Sequence, residues 1–179
     1  MVYMFLGTGF EETEAIAPLD LLRRAGVMVK TVGLNGKIIT GRNGIPVVAD
    51  IEAHEMQLHD LEMIILPGGL GGVWSIRESK IAMDMIRYAR NTGAFVAAIC
   101  AAPMVLADLG ITDGKKVTCF PGCEDAMGSA NILSEAAVRD GRIITGTSAG
   151  CAIPFGLKLV EALRGQALAN AIANEIVIR

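Results

Sequence analysis

At 179 residues and 52% apolar side chains, the chain fits one domain spanning residues 1–179, with a core large enough to need no disulfide or metal staple. Its 16 basic and 19 acidic residues give a net charge of -3 with no long run of either sign, which argues against nucleic acid or an anionic membrane surface as a partner. No apolar stretch approaches the roughly 18 residues that a membrane span requires, because charged residues, glycine or proline interrupt every run. The opening MVYMFLGTGFEETEA lacks a basic start and meets three glutamates by residue 14, so no export signal is expected. The four cysteines (100, 119, 123 and 151) therefore read as reduced thiols and the compartment as the cytoplasm.

In chain order, Val2 to Leu6 reads as a buried strand, Glu12 to Ala25 as a helix and Val27 to Val32 as a second strand, a βαβ opening. Asn35-Gly36 carries the signal of a two-residue type I′ hairpin. Leu61 to Leu66 is a third strand leading to Pro67-Gly68-Gly69. A periodic helical segment, Ser79 to Asn91, then precedes the strand Ala94 to Ile99. Asp140-Gly141 is a second hairpin signal, and helices over Ser148 to Leu163 and Gln166 to Asn174 close the chain. Strands that are continuously apolar, placed between helices, imply a parallel sheet covered on both faces. The expected fold is an α/β, doubly wound sandwich whose functional crevice lies outside the carboxyl ends of the strands. Four segments should meet there: Gly7 to Glu14, Pro67 to Gly69, Cys100 to Ala102, and Gly146 to Gly150.

Cys100 stands where the apolar run FVAAI stops and a helical pattern begins, the arrangement of a nucleophile elbow. Amide dipoles at such a turn are expected to favour thiolate. The partner of a cysteine nucleophile is commonly histidine, but His54 and His59 lie in the polar segment IEAHEMQLHD and read as solvated loop residues at the wrong edge of the sheet. Their five-residue spacing suits no metal site on one helical face. Glutamate remains: a protonated carboxyl can donate to sulfur, and Glu11, Glu12 and Glu14 all follow the first strand, with periodicity unable to choose among them. Gly68 and Gly69 permit a close backbone approach and, with the amide of Ala101, form a candidate oxyanion hole. Cys119 and Cys123, in VTCFPGCED, have poor spacing for zinc; this turn reads as a pocket border, with one thiol a candidate resolving partner for oxidised Cys100 and simple packing the other reading. Cys151, following Gly150 at a helix start, reads as buried.

GFEETEA at 9–15, LPGG at 66–69, AAICAAP at 97–103, KVT at 116–118 and KLVEAL at 158–163 together resemble the DJ-one/ThiJ/PfpI superfamily, in particular its protein deglycase branch with YajL-like and ThiJ-like bacterial members. The resemblance runs from end to end. It implies a flavodoxin-like sandwich, related to class I glutamine amidotransferases, that forms a homodimer and uses no metal or organic cofactor. It also implies that Cys100 is the reactive cysteine, that Glu14 is the protonated glutamate beside it, and that the amides of Gly69 and Ala101 face the pocket. Members with peptidase activity carry histidine directly after the cysteine, where this chain has Ala101, so peptidase activity is not expected. Phe120 stands in place of a histidine of the branch, and Asn43 and Thr147 in place of two arginines, with Arg42 adjacent to the first. Gly68, Cys119, Phe120 and Thr147 are thus the candidate pocket border.

The expected function is a glutathione-independent glyoxalase III or deglycase acting on a small aldehyde or ketoaldehyde, namely methylglyoxal, glyoxal or their early adducts. A redox-responsive stress protein or holdase that senses oxidation through Cys100 is the alternative. Thiamine-pathway or amidotransferase chemistry ranks last, because no histidine follows residue 59.

Overall fold

The computed structural model describes residues 1–178. It begins with strand β1 (Val2–Leu6), helix α1 (Glu12–Arg24) and strand β2 (Val29–Gly33), followed by three short strands, β3 (Ile38–Thr40), β4 (Pro46–Val48) and β5 (Ile51–Glu52). Then come β6 (Met63–Leu66), helices α2 (Leu70–Glu78) and α3 (Lys80–Thr92), β7 (Phe95–Ile99) and the six-residue helix α4 (Pro103–Asp108). The chain continues through β8 (Lys116–Val117), β9 (Asn131–Ile132), β10 (Ala137–Asp140) and β11 (Ile143–Gly146), and closes with α5 (Ala152–Arg164) and α6 (Gln166–Glu175).

Seven strands form the central sheet in the order β10-β11-β7-β6-β1-β2-β5, and every neighbouring pair is parallel except β10 with β11. The sequence dictates this arrangement: β1, β6 and β7 are apolar at each position and buried along their whole length, which only a sheet covered on both faces allows. Helices α1, α5 and α6 pack together on one side, while α2, α3 and α4 pack together on the other, and β7 touches members of both groups. The fold is the expected α/β, flavodoxin-like sandwich. Strand order reverses between β1 and β6, so the loops after β1, β6 and β7 open into one crevice.

Two helices meet closely at Gly156 of α5. A Cβ there would lie 2.7 Å from Leu21 Cδ1 and 3.0 Å from the backbone Cα of Pro18, both on α1. Gly156→Val is expected to lower stability by about 1–3 kcal/mol through overpacking, read as a fall in thermal midpoint; an unchanged midpoint would show that the helices can part without loss.

Local structure departs from expectation at several points. Asn35-Gly36 does not close a hairpin: β3 pairs with β4, through a turn in which Gly41 N–H donates to Ile45 O at 3.0 Å. The Asn35 side chain is used elsewhere, its Oδ1 accepting from Thr8 N–H at 3.0 Å and so tethering the loop after β1. Asp140-Gly141 does join two antiparallel strands, but only Gly141 takes positive φ (+62°), as a type II′ rather than a type I′ turn requires. Helix α2 was not expected from LGGVWSIRE, whose glycines disfavour helix. The helix beginning at Ser148 starts as a 3-10 turn, Ala149–Cys151, which leaves Cys151 half-buried rather than buried.

Candidate active site

A strained strand-to-helix elbow is present at Cys100. Cys100 has φ +67°, one of three non-glycine residues in the left-handed region among those described, and it sits directly between the end of β7 and the turn into α4. Such a conformation persists only where surroundings over-determine it. Here Cys100 N–H donates to Gly146 O at 2.9 Å, Cys100 O accepts from Phe120 N–H at 2.8 Å, and Ala102 N–H closes back onto Ile99 O at 3.1 Å. The side chain is nearly buried.

The three glutamates after β1 divide the work. Glu11 caps α1, its carboxylate accepting from Glu14 N–H at 2.9 Å. Glu12 ties down the loop between β3 and β4: its two oxygens accept from Asn43 N–H and Asn43 Nδ2, each at 2.9 Å. Burial raises the Glu12 pKa, but hydrogen bonds from its own backbone, from Asn43 and from Ile45 outweigh that and hold it below the usual carboxylate value. Glu14 points the other way, into the crevice. Its Oε2 accepts from Gly68 N–H at 2.9 Å, and its carboxyl meets the Cys100 thiol.

Gly68 is the spacer that permits this meeting. A Cβ at that position would sit 2.4 Å from Glu14 Oε2 and 2.6 Å from Cys100 Cβ. Gly69 follows with φ +80°, pressed against the backbone of Gly9 to Glu11, and Glu11 N–H donates to Gly68 O at 2.9 Å. The backbone amides of Gly69 and Ala101 face the sulfur. Two amides and a carboxyl therefore surround one thiol, a geometry suited to holding an oxyanion beside a proton carrier.

Electrostatically the two groups are coupled. Burial pushes the Glu14 carboxyl up to about 7, with Glu11 adding to the rise while Cys100, the Gly68 amide and the positive charge of Arg42 oppose it. The expectation that helix dipoles would favour thiolate is corrected. Burial first, then the Glu14 charge, push the Cys100 thiol up to about 12 against the opposing amides of Gly69 and Ala101.

The remaining candidates form the rim or stand apart. Phe120 is 45% exposed beside the elbow, whereas Cys119 is buried beneath it. Thr147 bonds Thr118 across 2.8 Å between hydroxyls and donates to Glu135 O, so it holds the wall behind the elbow. His54 and His59 are exposed and do not join the site. No group of three or more metal-ligating side chains occurs among the described residues. Residue-by-residue reading missed two contributions: the anchoring of the 41–45 loop by Glu12, and Arg42, whose charge reaches Glu14 and whose N–H donates to Phe10 O at 2.8 Å. The only local signal was their nearness to glycines that tighten both loops.

An α/β sandwich with a strained cysteine at the carboxyl end of a central strand and a buried glutamate facing it defines a cysteine-site protein of the flavodoxin-like class. The family model described as DJ-1/PfpI matches residues 1–162. Protein dj-1beta of Drosophila melanogaster is 33% identical over 178 residues, covering 98% of this chain and 95% of that protein, and its crystal structure superposes with a TM-score of 0.94. The glutathione-independent glyoxalase DJR-1.2 of Caenorhabditis elegans is 30% identical, covering 94% of this chain and 90% of its own. Oxidized DJ-1 of Toxoplasma gondii superposes with a TM-score of 0.94 at 29% identity, over 98% of this chain and 97% of that one. The chain belongs to the DJ-1/PfpI family.

Proposed function

We propose that this protein is a cysteine-dependent, glutathione-independent glyoxalase or deglycase acting on methylglyoxal, glyoxal or their early adducts with thiols and amines. The observation that carries the reading is the buried Glu14 carboxyl set against the Cys100 thiol under two inward-facing amides. The name of the nematode relative supports the same substrate class.

In this reading Glu14 accepts the Cys100 proton, and the thiolate attacks the aldehyde carbon to give a hemithioacetal. The amides of Gly69 and Ala101 hold the developing oxyanion. Glu14 then moves a proton from the former aldehyde carbon to the adjacent one through an enediolate, leaving a thioester of the hydroxy acid. Water cleaves the thioester, releases lactate from methylglyoxal and restores the thiol. The balance is one ketoaldehyde plus one water to one hydroxy acid. A carboxyl that titrates near neutrality suits a group that must both accept and return a proton. Ala101 places no imidazole beside the cysteine, which is why peptide hydrolysis is not part of the proposal.

A homodimer in the cytoplasm belongs to the same reading. The dimer is supported by exposed Ile16 on α1 and Ile45, which line an apolar groove of about 860 Å³ with Ile153 of α5, away from Cys100. Among the described residues no helix is long and apolar enough to cross a membrane.

The test is methylglyoxal consumption with lactate quantification, without glutathione, on the native protein beside Cys100→Ser. Lactate production that falls to buffer background in the variant is the expected result. No lactate above that background in the native protein would overturn the proposal in favour of redox sensing through Cys100.

A further inference from the structure

A pair of thiols lies beside the elbow, outside the machinery used above. Val117, Cys119 and Met127 form a small apolar cluster of their own, and Cys123 packs against it together with Met104 and Ala107. The four residues from Phe120 to Cys123 make a reverse turn in which Phe120 O accepts from Cys123 N–H at 2.9 Å. Pro121 occupies the position that favours its fixed φ, and Gly122 takes φ +96°, as a type II turn demands. The chain thus reverses between the two cysteines and returns Cys123 to the cluster that holds Cys119.

The turn is held firmly. Thr118 N–H donates to Thr145 Oγ1 at 2.8 Å, Phe120 N–H to Cys100 O at 2.8 Å, and Gly122 N–H to Glu124 Oε2 at 2.6 Å. Both thiols are free in this structure; Cys119 is buried and Cys123 is partly exposed.

We propose that Cys119 and Cys123 are a reversible dithiol/disulfide couple, closed across the Phe120–Cys123 turn by hydroperoxide and separate from Cys100. Cys123, the more exposed thiol, loses its proton and attacks the peroxide. The O–O bond breaks, alcohol leaves, and Cys123 becomes a sulfenic acid. Cys119 sulfur then attacks that sulfur; the S–S bond forms, the S–O bond breaks, and hydroxide leaves with the Cys119 proton as water. Two thiols and one hydroperoxide give one disulfide, one alcohol and one water, with two electrons passing from sulfur to peroxide. A dithiol reductant reverses the step by exchange.

Environment sets the tempo. Burial, then the charges of Glu124 and Cys123, push the Cys119 thiol up to about 11, and burial with Glu124 also raises Cys123. Little thiolate is present at neutral pH, so closure answers sustained peroxide rather than traces. The same basicity makes each sulfur a poor leaving group, so the closed form persists until a dithiol reaches it. Because Phe120 N–H holds the Cys100 carbonyl, the couple stands one hydrogen bond from the elbow.

Peptide mass spectrometry on the full chain tests this independently of any catalytic activity. Residues 117–139 form a tryptic peptide whose only cysteines are Cys119 and Cys123, whereas Cys100 falls in 91–115. After hydrogen peroxide treatment and thiol blocking with iodoacetamide, peptide 117–139 is expected about 2 Da lighter than its reduced form and unmodified. It should take up two blocking groups after dithiothreitol. Closure should persist in Cys100→Ser and vanish in Cys123→Ser. Peptide 117–139 fully blocked after peroxide, carrying added oxygen on Cys119 or Cys123 as located by fragmentation, or joined to 91–115 would each overturn the proposal, and the unsubstituted protein alone suffices to show any of them.

Discussion

Replacing Glu14 by glutamine is expected to cut turnover of methylglyoxal by about 10²–10⁴-fold while making Cys100 more reactive toward iodoacetamide at neutral pH. The two effects run in opposite directions because the carboxyl does two things. In the proposed reaction it carries the proton, which an amide cannot do. Its charge also opposes ionisation of the thiol beside it, and glutamine removes that charge while keeping an acceptor for Gly68 N–H and a donor for sulfur. Retained turnover would sink the proposed mechanism.

The same substitution changes how stability depends on pH. Burial raises the Glu14 carboxyl from 4.5 to about 7, so between those values the folded protein keeps a proton that the unfolded chain has released. Stability from this group is fully present below pH 4.5 and is lost as pH rises through about 7, a change on the order of 3 kcal/mol. Glutamine has no such loss. The thermal midpoint of Glu14→Gln relative to the native protein should therefore climb between pH 4.5 and pH 8; a constant difference would show that Glu14 titrates as an ordinary carboxyl.

Gly68→Ala is expected to reduce turnover by about 10²-fold or more and to cost roughly 1–3 kcal/mol of stability. The added Cβ meets three fixed groups at once: Glu14 Oε2 at 2.4 Å, Cys100 Cβ at 2.6 Å and Ile99 O at 2.9 Å. Relief requires moving the carboxyl off the Gly68 amide, or the elbow off its seat, by several tenths of an ångström. Steady-state kinetics beside circular dichroism would separate a folded, slow enzyme from an unfolded one. Turnover equal to that of the native protein would mean that the Glu14–Cys100 contact does not set the rate.

Much of this architecture is legible locally. The buried strands β1, β6 and β7 announce themselves as short apolar runs, and Cys100 marks the point where strand composition gives way to helix composition. Helix α3 is equally plain, with Ser79 capping it through Ala82 N–H and Gly93 ending it at φ +78°. Helix α2 is not, because Gly71 and Gly72 argue against a helix. They are there for a distant reason: a Cβ on Gly71 would lie 2.9 Å from Thr8 O, and one on Gly72 2.8 Å from Phe10 Cα. The helix packs straight onto the backbone of the loop after β1, and tertiary contact overrides propensity.

Periodicity and turn chemistry act over a few residues, so the long buried strands, most helices and the place of Cys100 at a strand-to-helix turn were determined by the sequence alone. The distinction among Glu11, Glu12 and Glu14 was not, since all three begin one helix and differ only in what lies across the crevice from them. Only the folded chain brings Gly68 and Cys100 against Glu14, Asn43 against Glu12, and a burial strong enough to push both the carboxyl and the thiol up. Those are properties of distance and dielectric between segments far apart in the chain, and no local pattern encodes them.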